Sequence, residues 1–189
     1  MNSWNRCLCS FVCLAMFYST ASAQTMETLF QFANADEVAK WQIVNDGVMG
    51  GRSTSEATII DQGMLRFAGI LSLENNGGFA SVRSRPDGSL GLASGESIVL
   101  RVKGDGRRYT FNLYTPDRRT AFSYQMDFDT KAGEWTEVRL PVDKFVAHSY
   151  GRPMPSMKLD PNQVHSVGIL LGDKKSGPFE ILVDWINVD

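Results

Sequence analysis

The chain has 189 residues, 43% of them hydrophobic and 21% charged, with a formal charge of −2 and a pI of about 5.7. This is the composition of an ordinary globular protein, and it argues against the basic patch that nucleic-acid binding needs. Cys7, Cys9 and Cys13 all lie near the N-terminus, so the rest of the chain has no thiol nucleophile, no zinc–thiolate site and no disulfide framework.

Residues 1–23 divide into a start carrying Arg6, an apolar run over 8–18, and the small residues Ala21, Ser22 and Ala23 before Gln24. That order predicts a cleaved secretory signal peptide. The apolar run is well short of the ~20 residues a membrane-spanning helix needs, so no stable membrane insertion is expected after processing. The expectation is a secreted or periplasmic protein. Its mature part, residues 24–189, would be one domain stabilised by burial without disulfides.

Downstream, two-residue alternation dominates and helical periodicity is nearly absent. It predicts strands over 29–32, 41–44, 54–60, 64–71, 79–84, 98–103, 109–113, 122–128, 137–140, 164–171 and 179–188. The clearest runs from Phe122 to Phe128, with a large apolar residue at every even position. Turn signals such as Asn75-Asn76-Gly77-Gly78, Pro86-Asp87-Gly88 and Gly104-Asp105-Gly106 separate the strands. Only 34–40 looks helical, with Asn34 placed to cap a short turn, and 146–163 is the longest irregular stretch. The pattern is that of an all-β sandwich or barrel.

The most distinctive segment is Asn45-Asp46-Gly47-Val48-Met49-Gly50-Gly51-Arg52-Ser53. Asn45-Asp46-Gly47 marks a tight turn and Gly50-Gly51 permits a second, with two apolar residues between them. On spacing alone the reading is a double turn with a bulge that tucks Met49 into the edge of the core. The segment is not a phosphate loop, because the closing Lys-Ser/Thr is missing and no helix follows.

This segment resembles the signature of the complex I intermediate-associated protein 30 family. The resemblance continues through Gly78-Phe79-Ala80-Ser81-Val82-Arg83-Ser84, Gly104-Asp105-Gly106-Arg107-Arg108-Tyr109, Ser166-Val167-Gly168-Ile169-Leu170-Leu171 and Phe179-Glu180-Ile181. It implies a galactose-binding-like jelly-roll β-sandwich. The family's eukaryotic members are assembly factors for respiratory complex I, so the resemblance also implies a protein-interaction or chaperone-like role.

Other residues have competing readings. Arg83 and Arg85 share a strand face with Phe79 and Ser81 by the two-residue period. Arg83 could bind an anionic or sugar ligand, or pair with a carboxylate. Asp127 and Asp129 would project together. Paired carboxylates serve glycoside hydrolysis or calcium binding, but a solvated strand end is the simpler account. His165 reads as an edge or core histidine, while His148 falls in the long loop, where it could line a pocket. Trp185 reads as buried and Trp135 as the best exposed aromatic, a possible sugar platform. No nucleophile elbow and no zinc-protease motif occurs.

The expectation is therefore a non-catalytic binding module with no cofactor or metal. Its contact residues would be Asn45, Asp46, Gly47, Val48, Met49, Gly50, Gly51, Arg52 and Ser53, with Arg83 and Trp135. Its partner would be an unidentified protein or, on the alternative reading of a carbohydrate-binding module, a glycan.

Overall fold

The computed structural model describes residues 26–60, 63–117, 119 and 121–189. The predicted signal segment lies outside the described residues. Among the described residues the strands are β1 (Glu27–Gln31), β2 (Trp41–Asn45), β3 (Thr54–Ile60), β4 (Met64–Leu71), β5 (Ala80–Ser84) and β6 (Ser97–Lys103). They continue with β7 (Arg108–Tyr114), β8 (Phe122–Asp129), β9 (Trp135–Pro141), β10 (Val146–Ser149), β11 (Arg152–Pro153), β12 (Ser166–Leu171) and β13 (Gly177–Val188).

The strands form two antiparallel sheets. One has the order β3-β4-β13-β6-β9, with β1 also paired to β13; the other runs β11-β10-β8-β7-β12-β5-β2. The protein is an all-β sandwich. Alternation explains which face turns inward. Tyr109, Phe111 and Leu113 on β7, and Val167, Ile169 and Leu171 on β12, are fully buried. They meet Leu65, Phe67, Leu100 and Ile181 from the opposite sheet in one apolar cluster. Ring contacts such as Phe67–Phe179 at 5.0 Å and Phe111–Phe145 at 6.3 Å fill the interior. Removing one such ring costs about 3–5 kcal/mol.

Some local expectations are corrected. Residues Ala35–Lys40 form a 3-10 turn, but the Asn34 side chain makes no capping bond. The stretch 146–163 contains β10, β11 and a short turn at Pro161–Gln163, and His148 stands on β10 rather than in a loop. Arg85 falls just beyond β5, where its Nε donates to the Ala39 carbonyl at 3.0 Å. A bulge between Val183 and Trp185 inserts Asp184. Val183 and Ile186 therefore point inward, and Trp185 is half-buried rather than enclosed.

The crossings between the sheets position the site. The β2–β3 and β4–β5 connections lie at one end of the sandwich, because Asn45 pairs with Ala80 and Leu71 with Gly177. The β12–β13 connection joins them there, with Lys174 beside Gly78.

Candidate functional site

The distinctive loop is built around a buried carboxylate. After β2 the chain makes a 3-10 turn over Asp46–Met49 and closes at Gly50, whose φ of 89° is the left-handed conformation that favours glycine. Asp46 has no exposed surface. Its Oδ1 accepts the Ser53 N–H at 2.9 Å, and its Oδ2 accepts the Ser53 hydroxyl at 2.6 Å. Oδ2 also accepts the N–H groups of Gly78 at 2.6 Å and Phe79 at 3.3 Å. Ser53 Oγ in turn accepts the Ser72 N–H at 3.0 Å. Burial pushes the Asp46 carboxyl up, but the bonds from Ser53, Gly78 and Phe79 more than offset it, and the group sits below its ordinary value. A Cβ on Gly51 would lie 2.4 Å from Asp46 Cγ, and one on Gly77 would lie 2.6 Å from Oδ2. These two glycines let the backbone close on the carboxylate.

Asp46, not Met49, is the residue the loop turns inward. Val48 is 77% exposed and Met49 54% exposed, so the expectation that Met49 packs at the core edge is corrected. Leu73 and Ile70 also expose much of their surface. Arg52 pairs with Glu74 at 2.8 Å on the surface, and Asn45 accepts the Ser55 hydroxyl at 2.8 Å. The sequence reading missed Leu73 and Glu74. The available signal was an apolar residue just ahead of the Asn-Asn-Gly-Gly turn, the same anomaly that marks Val48 and Met49.

A second buried contact fixes the neighbouring loop. Arg107 holds Asp173 through two bonds, Nη2 at 2.6 Å and Nε at 3.0 Å. It also donates to the Lys175 carbonyl and, at 3.2 Å, to that of Pro178. Burial pushes the Asp173 carboxyl up, and the Arg107 guanidinium and Lys175 N–H outweigh that, so it too sits below its ordinary value. Asp105 accepts the Tyr109 hydroxyl at 3.1 Å and the Glu180 N–H at 3.0 Å.

The remaining predicted residues are dispersed. Trp135 is half-buried under the Arg101 guanidinium, 4.6 Å from the ring centroid, and Arg101 is held by Asp184. It stands on β9 of the six-stranded sheet, whereas Arg83 stands on β5 of the other. Asp127 accepts the Thr110 hydroxyl at 2.7 Å and Asp129 pairs with Arg108 at 2.7 Å, both exposed. Among the described residues, no group of three His, Cys, Asp or Glu side chains is placed to hold a metal ion.

Residues 30–183 match the sequence profile of complex I intermediate-associated protein 30. The chain belongs to that family. It is 29% identical over 182 residues to the mitochondrial complex I intermediate-associated protein 30 of Mus musculus, covering 85% of this chain and 55% of the relative. It is 25% identical to the Drosophila melanogaster protein, covering 86% and 62%. The chain thus spans little more than half the length of these relatives. In fold it is similar to family 11 carbohydrate-binding modules of Clostridium thermocellum. One, in complex with a mixed-linked tetrasaccharide, has a TM-score of 0.62 at 17% identity, covering 88% of this chain and 96% of that one. Another has a TM-score of 0.63 at 16% identity, covering 88% and 95%.

The complex I intermediate-associated protein 30 relatives are named as mitochondrial proteins, which overturns the expectation of a secreted or periplasmic location. An apolar N-terminal run reports hydropathy alone. Residues 1–23 contain no Asp or Glu and several Ser, features that targeting segments for more than one compartment share, so the run did not fix the compartment.

Proposed function

We propose that this chain is a non-catalytic protein-binding module with a role in the assembly of a larger complex, and that the loop 45–53 is its contact surface. The names of its relatives support association with a complex I intermediate. The observation that carries the reading is the exposure of Val48 and Met49 on a loop whose interior is fixed by Asp46. A loop already held in shape loses little further entropy when a partner docks. Apolar side chains clustered on such a surface favour a protein partner.

The side-chain chemistry supports a binding role over catalysis. Ser166 Oγ lies 2.9 Å from His165 Nδ1, between chain neighbours, with Ser166 buried. His148 Nδ1 contacts the Val146 carbonyl at 2.9 Å. Neither arrangement presents a nucleophile and base to a cleft.

Co-purification followed by mass spectrometry tests the proposal. The tagged chain is expected to capture a specific protein, and Met49→Ser with Arg52→Ser is expected to lose it while the thermal melt is unchanged. Retention of the same partner by the double variant would reject the loop as the contact surface.

A further inference from the structure

On the outer face of the seven-stranded sheet, Gln42 of β2, Arg83 of β5, Gly168 of β12 and Asn112 of β7 stand side by side in register. The floor of this band is satisfied internally. Asn112 accepts the Ser123 hydroxyl at 2.9 Å and donates to the Thr110 carbonyl at 3.2 Å, and the Ser81 hydroxyl donates to the Val44 carbonyl at 2.6 Å. All three polar residues, Ser81, Asn112 and Ser123, are buried.

The groups above that floor keep open donors. Arg83 donates Nε to Ser81 Oγ at 3.2 Å and lies 5.1 Å over the Tyr114 ring. Among the described residues no carboxylate pairs with it, whereas Arg52, Arg101 and Arg107 each hold one and Arg66 holds two. Its two terminal nitrogens, the planar fork that fits a carboxylate, therefore remain open. The Gln42 amide and the Tyr114 hydroxyl make no hydrogen bond among the described residues, and both side chains are half-buried. Burial pushes the Tyr114 hydroxyl up to about 12, with the Arg83 cation pulling the other way, so it is a donor at neutral pH. Gly168 keeps the stack seated. A Cβ there would lie 3.1 Å from Tyr114 Cε2 and 3.2 Å from Arg83 Cγ.

We propose that this band binds a hydroxylated carboxylate of the uronic-acid type, with the Arg83 fork on the carboxylate and Gln42 and Tyr114 on hydroxyls. β5 and β12, which carry Arg83 and Gly168, are paired on both sides, so the open edge of the sheet at β2 lies to one side of the Arg83 fork. The proposal is independent of the partner surface at 45–53.

The test is amide chemical-shift titration of the full chain with sodium galacturonate, with galactose and with sodium acetate at matched ionic strength. Galacturonate is expected to shift Gln42, Arg83, Tyr114 and Gly168, and to bind more tightly than either simpler ligand. Arg83→Gln is expected to weaken it about tenfold or more, and Arg83→Lys to restore only part. Galactose binding as tightly as galacturonate would remove the carboxylate from the proposal, and acetate binding as tightly would reduce the band to a nonspecific anion contact. Either result, or an unaltered affinity in Arg83→Gln, would overturn it.

Discussion

The Ser53 hydroxyl lies 2.6 Å from the Asp46 carboxylate, and that contact closes the two ends of the 46–53 loop on each other. The same carboxylate reaches Gly78 at 2.6 Å, so one side chain ties together loops far apart in sequence. The exposed tip between its anchors owes its shape to this buried charge.

Asp46→Ala leaves the N–H groups of Ser53 and Gly78 buried without an acceptor. Each such group costs about 1–3 kcal/mol, so the variant is expected to lose about 3 kcal/mol in urea denaturation. A loss below about 1 kcal/mol would show that water or a local shift satisfies the donors.

Acid should weaken the same contact. The Asp46 carboxyl is held below its ordinary value of 3.8 in the folded protein. Its contribution is therefore complete well above that value and declines as the pH falls through 3.8 and below. The stability advantage over Asp46→Asn is expected to be constant between about pH 5 and 7 and to shrink in more acid solution. Denaturation midpoints across a pH series measure it. An advantage that grew on acidification would contradict the assignment.

Gly51 and Gly47 should respond unequally to the same substitution. A Cβ at Gly51 meets Asp46 at 2.4 Å, while one at Gly47 has nothing within 4 Å. Gly51→Ala is expected to cost about 1–3 kcal/mol, and Gly47→Ala to stay within about 0.5 kcal/mol of the parent. Thermal melts of the pair decide it.

The two ion pairs near the site differ in burial. Arg107 and Asp173 keep 11% and 7% of their side-chain surface exposed, against 66% and 64% for Arg52 and Glu74. Asp173→Ala is expected to cost about 3–5 kcal/mol by stranding a buried cation, and Glu74→Gln about 0–1 kcal/mol. Added salt should change the second pair's contribution and leave the first nearly unaltered.

Much of the fold was legible because alternation is local. Phe122, Tyr124 and Phe128 announced which face of β8 would be buried. The role of Asp46 was not legible. Asn-Asp-Gly reads as a turn, while the donors that bury this carboxylate include Gly78, 32 residues away. Trp185 was misread because a bulge changes the parity of a strand without a local signal. The Arg83–Tyr114 stack depends on the order β7-β12-β5, which sequence spacing does not contain. Tyr114 itself was within reach, since it continues the outward series of Thr110 and Asn112.

On the proposed function, the exposed tip at Val48 and Met49 touches the protein partner. Photo-crosslinking tests it most directly, with a benzophenone side chain placed at position 49 and, as a control, at the exposed Glu134 in the β8–β9 connection. A specific crosslinked protein is expected from position 49, and none of that species from position 134. A partner that co-purifies yet crosslinks only from position 134 would contradict it.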